Sequence, residues 1–176
     1  MRVSCPERKR DIMEKYTLSV LVENHAGVLS KVVGLFSRRG FNIHSLAVGV
    51  TNDETISRIT IEVLGDEATV EQIAKQLNKL VDVIKIKTLR RDDVVKRGLL
   101  LVKIKTTAKN RSEVIQISDI FRAKIVDLSP NTITAELTGD DSKLEAFLQM
   151  LSPYGIEEIA RTGMIALERG TNTLKV

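Results

Sequence analysis

The sequence predicts an α+β fold in which two ferredoxin-like units follow one another along the chain. Apolar residues alternate at strand spacing in short segments of both halves, and segments with helical spacing lie between them. The resulting order is β-α-β-β-α-β, and it occurs twice. A short polar turn joins the second and third strands, which favours an antiparallel hairpin and argues against a doubly wound parallel sheet. Each unit is therefore predicted to be an antiparallel sheet with two helices on one face.

The first unit is predicted over residues 16–89. Its first helix lies between a glycine turn at Gly27 and a glycine stop at Gly40, and its second helix opens at Asp66. The predicted strands cover residues 16–22, 46–50, 59–63 and 83–89. The residues predicted to face inward are Val28, Leu29, Val32, Leu35 and Phe36 in the first helix, and Val70, Ile73, Ala74, Leu77, Leu80 and Val81 in the second.

The second unit is predicted over residues 99–176, where the same pattern returns. Asp140 or Asp141 is expected to cap its second helix. Residues 90–98 are charge dense and have no period, so we interpret them as a linker, and we interpret residues 1–15 as a flexible tail. The predicted strands cover residues 100–104, 125–128, 133–137 and 156–159, and the helices are marked by Val114, Ile117, Ile120 and Phe121 and by Leu144, Phe147, Leu148 and Leu151.

One face of each predicted sheet has no helix of its own to cover it. Leu21 in the first unit and Leu101 in the second are expected to point toward that face. Exposed apolar sheet surfaces tend to be covered by another chain or domain. The sequence therefore predicts a homodimer.

Composition and charge exclude several classes of partner. The net charge is +4, but residues 16–89 and 99–176 are each neutral, so the excess lies in the tail and the linker and no nucleic-acid partner is expected. An RNA-binding module of this topology would also need aromatic rings in its central strands, and residues 57–63 contain none. No apolar run approaches a membrane span of about 20 residues. The single cysteine, Cys5, has no disulfide partner, which fits a reducing cytoplasm.

The sequence indicates neither a catalytic site nor a metal site. His25 and His44 have no cysteine or second histidine at ligand spacing and no nucleophile in a recognisable turn. An acylphosphatase-like enzyme of the same topology would need an arginine in the first loop, and residues 24–31 contain none. We therefore predict no catalytic residue and no metal ligand on this chain.

The loop before the first helix is the best candidate for binding a small molecule. A helix start leaves backbone N–H groups without intrahelical partners and carries partial positive charge, so a glycine turn there suits a carboxylate. Side-chain amides and apolar residues lie at the two ends of this helix, where they match the ammonium group and the side chain of an amino acid. These residues are Asn24, Gly27, Val28 and Leu29 at its start and Gly40, Asn42 and Ile43 after its end.

The same stretch resembles a known family. From Glu23 the chain reads Glu-Asn-x-x-Gly-Val-Leu-Ser-Lys-Val-Val-Gly-Leu-Phe-Ser-Arg-Arg-Gly-Phe-Asn-Ile-x-Ser-Leu, which is similar to the ACT domain of the small, regulatory subunit of acetolactate synthase. The resemblance continues through residues 57–61, 75–83, 101–104 and 161–163, and it covers about residues 15–170. It implies that residues 16–89 are an ACT domain.

The resemblance implies a noncatalytic subunit of branched-chain amino acid biosynthesis. Such a subunit activates a large catalytic subunit, which holds thiamine diphosphate, Mg²⁺ and FAD, and confers feedback inhibition by valine or sometimes by leucine or isoleucine. The effector would lie between the ACT domains of a homodimer. An alternative is a stand-alone amino-acid-sensing ACT protein that acts on another enzyme or regulator. The effector-binding residues that the resemblance implies are Asn24, His25, Ala26, Gly27, Val28, Leu29 and Ser30 of one chain, and Asn42 and Ile43 of the other.

Overall fold

The first unit is a four-stranded antiparallel sheet with two helices on one face. In the computed structural model, which describes residues 14–90 and 93–175, its strand order is β2-β3-β1-β4. Two strands, β1 and β3, occupy the centre, so β2 and β4 are the edges. Its elements are β1 (Glu14–Glu23), α1 (Val28–Arg39), β2 (Ile43–Val50), β3 (Ile56–Gly65), α2 (Glu67–Leu77) and β4 (Val83–Leu89).

The second unit repeats this arrangement with strand order β6-β7-β5-β8. A short extra strand, β9, pairs with the first part of β5. The predicted fold class is confirmed: both units have the β-α-β-β-α-β order. The elements are β5 (Val94–Lys105), α3 (Arg111–Phe121), β6 (Lys124–Leu128), β7 (Thr132–Gly139), α4 (Asp141–Leu151), a short 3₁₀ helix (Ser152–Tyr154), β8 (Ile156–Arg161) and β9 (Ile165–Glu168).

Each unit has its own hydrophobic core between its sheet and its helices. In the first unit Phe36 of α1 and Ile73 of α2 are almost fully buried against the central strands, and in the second unit Phe147 of α4 is fully buried. The inward strand residues follow the alternation read from the sequence. The most buried of these in the two sheets are Leu18, Val20, Ile59, Ile61, Leu100, Val102, Ile104, Ile133 and Ala135.

Two predicted helix faces need correction. Val81 is 95% exposed, because α2 ends at Leu77 and a turn that includes a backbone hydrogen bond from Leu80 to Leu77 carries the chain to β4. Leu29 is 42% exposed, because it lies in the first turn of α1, outside the buried stripe that Val28 and Val32 form.

The predicted boundaries differ at the tail and the linker. Within the predicted tail, Glu14 and Lys15 form the start of β1, and the rest lies outside the described residues. The predicted linker contains the start of β5, which begins at Val94 because residues 94–97 pair with β9. Val94 packs there with Leu89 and Ala166 in a small third cluster.

The second face of the first sheet is covered by the same chain. Leu21 was expected to need a second chain to cover it, but it is 2% exposed. It lines a cavity with Leu174 and Lys175, and Arg58 of β3 donates a hydrogen bond to the carbonyl of Leu174 at 3.1 Å. The prediction that Leu21 lies on an open face was therefore wrong, because residues 165–175 turn back onto this sheet. Leu101 in the second unit remains 37% exposed.

Among the described residues, no helix is both long enough and apolar enough to pass through a membrane.

Candidate effector-binding site

The loop between β1 and α1 turns on a left-handed glycine. Gly27 has φ 89° and ψ −16°, and α1 begins at the next residue. A Cβ atom built on Gly27 would meet no atom within 4 Å, so the loop needs glycine for its backbone conformation and not for lack of space. A side chain added at this position would project into open space beside the helix start.

The first turn of α1 presents unpaired backbone donors. The N–H of Val28 makes only a long contact with the carbonyl of His25, at 3.4 Å, and the N–H of Lys31 donates to Gly27 at 3.0 Å. Between them, the N–H groups of Leu29 and Ser30 donate to no acceptor among the described residues. No acidic side chain lies in this first turn to offset its partial positive charge. The arrangement can accept a carboxylate.

Asn24 is anchored to the β2–β3 hairpin. Its Nδ2 donates to the carbonyl of Glu54 at 2.7 Å, its Oδ1 accepts from the hydroxyl of Ser57 at 3.0 Å, and its backbone N–H donates to the carbonyl of Thr55 at 2.7 Å. One amide hydrogen and one lone pair remain available. Asn24 therefore holds the loop against the hairpin and keeps part of its hydrogen-bonding capacity for a ligand.

The other predicted loop residues differ in exposure. Val28 is 3% exposed and belongs to the core, whereas Leu29 presents its side chain to solvent. Ala26 is exposed, and its carbonyl lies 3.1 Å from Nδ1 of His25. Ser30 is also exposed.

Asn42 and Ile43 lie at the opposite end of α1. Since α1 has 12 residues, its two ends are separated by about 18 Å. Asn42 is exposed and Ile43 is half-buried at the start of β2. One chain thus does not bring the two predicted parts of the site together.

Three charged residues outside the predicted site, Glu23, Lys31 and Asp82, surround the loop. Lys31 of α1 contacts Asp82 with Nζ and Oδ2 2.7 Å apart, and His25 lies between Glu23 and Asp82. The hydrogen bond from Lys31 lowers the pKa of Asp82, and the charges of Lys31 and His25 act in the same direction while partial burial opposes them. The side chain of Asp82 is 11% exposed, so the cluster is anchored in the protein.

Comparisons with known proteins identify the family. A model described as the AHAS small subunit-like ACT domain matches residues 18–85, and a model of the small subunit of acetolactate synthase matches residues 97–170. A probable acetolactate synthase small subunit from Methanothermobacter thermautotrophicus is 49% identical, covering 92% of this chain and 96% of the relative. This chain belongs to the acetolactate synthase small subunit family.

Another member, from Mycolicibacterium smegmatis, is 52% identical over 88% of this chain and 91% of its own length. The crystal structure of the acetolactate synthase small subunit from Thermotoga maritima has 41% identity and a TM-score of 0.85, covering 91% of this chain and all of that one. These comparisons confirm the resemblance read from the sequence, including the ACT domain in the first half. The effector-binding residues that the resemblance implies stay a prediction.

Proposed function

We propose that this small subunit binds a branched-chain amino acid, with valine as the first candidate, and thereby regulates a catalytic subunit of acetolactate synthase. The unpaired N–H groups of Leu29 and Ser30 at a positive helix end carry this proposal. Asn24 supplies polar groups for the ammonium, and the exposed side chain of Leu29 offers an apolar surface for the aliphatic side chain. We assign thiamine diphosphate, Mg²⁺ and FAD to the catalytic subunit.

We propose that a homodimer completes the site through the β2 edge. Strand β2 is an edge strand, and Val48 and Val50 near its end are about half exposed. The hairpin that follows β2 is hydrogen-bonded to Asn24. Antiparallel pairing of two β2 edges would place the start of one strand beside the end of the other. It would therefore bring Asn42 of one copy toward the Asn24 loop of the second, which a single chain does not do.

The magnitudes are compatible with this role. Micromolar binding corresponds to about 8 kcal/mol. Valine has about eight heavy atoms, and the best small ligands gain up to about 1.5 kcal/mol per atom. Regulation requires a coupling of only about 1–3 kcal/mol between effector binding and the active state of the partner.

Calorimetry with valine tests the site directly. Gly27→Asp is expected to abolish valine binding, because the added carboxylate would occupy and repel the position of the effector's own. Gly27→Asn is the matched control, since asparagine has the same shape, tolerates positive φ and carries no charge. We expect Gly27→Asn to retain measurable binding. Unchanged affinity in Gly27→Asp would show that the effector binds elsewhere.

Reconstitution with the catalytic subunit tests the regulatory role. Adding the small subunit is expected to raise acetolactate synthesis, and valine is expected to reverse this increase. Gly27→Asp should still activate but should remove the valine response. If the protein binds valine and neither activates nor associates with the catalytic subunit, the alternative of a stand-alone amino-acid sensor is favoured.

A further inference from the structure

Three potential metal ligands lie close together beside the loop between β1 and α1: Glu23, His25 and Asp82. Glu23 ends β1, His25 lies in the loop that follows, and Asp82 precedes β4. The N–H of Glu23 donates to the carbonyl of Asp82 at 2.9 Å, just beyond an irregularity in the β1–β4 pairing at Leu21 and Val22. The strand pairing itself therefore holds Glu23 and Asp82 side by side.

The ring of His25 points a nitrogen between two carboxylates. Its Nε2 lies 3.2 Å from Oε2 of Glu23 and 3.1 Å from Oδ1 of Asp82, and the three donor atoms lie within 4.8 Å of one another. Its Nδ1 lies 3.1 Å from the carbonyl of Ala26. Because a carbonyl only accepts hydrogen bonds, Nδ1 carries a proton. Nε2 thus faces two carboxylate oxygens, and a cation placed among the three atoms would be within reach of all of them.

We propose that Glu23, His25 and Asp82 bind a divalent transition-metal ion of the Zn²⁺ class. Ligand atoms about 2.0–2.1 Å from a tetrahedral zinc ion lie about 3.3 Å apart, close to the two separations seen here. Imidazole with carboxylates suits Zn²⁺ and its neighbours, whereas Mg²⁺ prefers oxygen ligands alone. Water would occupy the fourth position.

Neighbouring groups hold the side chains of Asp82 and His25 in position. Lys31 contacts Oδ2 of Asp82 at 2.7 Å, which fixes the carboxylate and leaves Oδ1 directed at His25. The Ala26 carbonyl orients the imidazole in the same way that backbone carbonyls orient histidine ligands in metal sites. Glu23 and His25 are about half exposed, so an ion can reach the site from solvent.

The ion would link the first residues of the loop between β1 and α1 to the start of β4. Residues 25–27 then run from a fixed point at His25 to the left-handed turn at Gly27. Metal binding should therefore slow amide hydrogen exchange in this loop. Metal binding is measured without an amino-acid effector, so its failure would be distinct from failure of the proposed valine site.

The test titrates full-length, tag-free Cys5→Ser protein with Zn²⁺ by calorimetry and with Co²⁺ by visible absorbance. The Cys5→Ser background removes the only thiol of the chain, which would compete for both ions. We expect one ion per chain and absorption bands of tetrahedral Co²⁺. His25→Gln and Glu23→Gln should each weaken binding at least about tenfold, whereas His44→Gln, which alters the only other histidine, should not.

Two results would overturn the proposal. The first is equal affinity for Zn²⁺ in the parent, His25→Gln and Glu23→Gln proteins. The second is absence of Zn²⁺ and Co²⁺ binding at millimolar concentration. Both single variants change exposed side chains, and circular dichroism would verify that they remain folded.

Discussion

At the residue scale, one buried carboxylate joins the two units. Glu62 of β3 is 1% exposed, and its Oε1 accepts hydrogen bonds from Lys96 of β5 at 2.9 Å and from the hydroxyl of Thr17 at 3.3 Å. Lys15 lies 3.8 Å from its Oε2, which has no hydrogen-bond partner. A buried charge is tolerated only when it is compensated, so Glu62 and Lys96 depend on each other.

Glu62→Gln should destabilise the protein strongly. Removing one member of a buried ion pair leaves the other uncompensated, and we expect a loss of about 3 kcal/mol in the free energy of unfolding. Glu71→Gln is the matched control, because Glu71 forms an exposed pair with Lys75 in α2, and such pairs contribute only about 0.3–0.5 kcal/mol. Urea unfolding of both variants provides the measurement, and equal losses would contradict this account of Glu62.

At the residue scale, only part of the candidate effector-binding site and its surroundings could be predicted from the sequence. Gly27 and Asn24 could be assigned to a loop at a helix start because capping and turn preferences depend on nearby residues. The proximity of His25 to Asp82 could not, because it arises from the pairing of β1 with β4, and these residues are far apart in the chain. Metal-ligand spacing along a sequence reveals only sites built from local segments.

At the element scale, the caps of α2 and α4 follow from the sequence. Asp66 accepts a hydrogen bond from the N–H of Thr69, and Asp140 accepts one from the N–H of Lys143. Asp140 is thus the residue that caps α4, while Asp141 forms an ion pair with Lys15 of β1. Capping is decided within one helical turn, which explains why the pattern alone narrowed the cap to two neighbouring residues.

Asp140→Ala should cost about 1 kcal/mol of stability at neutral pH. The hydrogen bond from Ser142 lowers the pKa of Asp140, and the N–H of Lys143 adds to this effect. A carboxyl whose pKa is lower in the folded state stabilises the protein above its unfolded pKa of about 3.9, and this contribution is lost as the pH falls through the folded value.

Asp140→Asn keeps an effective cap and cannot titrate. Urea unfolding between pH 7 and pH 3 should therefore show that the free energy of unfolding falls less steeply with decreasing pH in Asp140→Asn than in the parent. Equal pH dependence in the two proteins would contradict the role of Asp140 as a charged cap.

Strand β9 is the element that the sequence did not reveal. Its four residues, Ile165–Glu168, are too few to establish an alternating period, and their partners, Val94–Arg97, lie in the charged segment interpreted as a linker. The longer strands and helices were predictable because their apolar period extends over more residues. Strand β9 forms because it pairs with the start of β5, and these two segments are too far apart in the chain for a local pattern to indicate their pairing.

At the scale of the whole molecule, the first unit and the second unit are in contact through β2. The N–H of Met164 donates to the hydroxyl of Ser45 at 2.9 Å, and residues 165–175 continue across the first sheet. Lys87 of β4 forms an ion pair with Glu168 of β9 at 2.6 Å. A change at β2, which begins at Ile43 directly after Asn42, therefore has a direct structural route to the second unit.

Gly163→Ala should disrupt this contact. A Cβ atom at Gly163 would overlap the carbonyl oxygen of Leu46 and lie 2.9 Å from the N of Ala47, and both atoms belong to backbone that cannot rotate away. Relieving such a clash requires residues 162–164 to move off β2, which loses the Ser45 hydrogen bond. We expect a loss of about 2 kcal/mol, equivalent to a fall in Tm of about 4–8 °C for a chain of this size.

Gly49→Ala is the matched control for this substitution. Gly49 also lies in β2, but a Cβ atom there would meet nothing within 4 Å, so its Tm should stay close to that of the parent. Hydrogen exchange then locates the effect: in Gly163→Ala, amides 45–47 should exchange faster, whereas the α1 loop at residues 24–30 should be unchanged. Because the loop stays intact, Gly163→Ala should still bind valine but should transmit it less effectively to the catalytic partner. Full valine inhibition in a Gly163→Ala holoenzyme would show that the signal does not pass through the contact between Gly163 and β2.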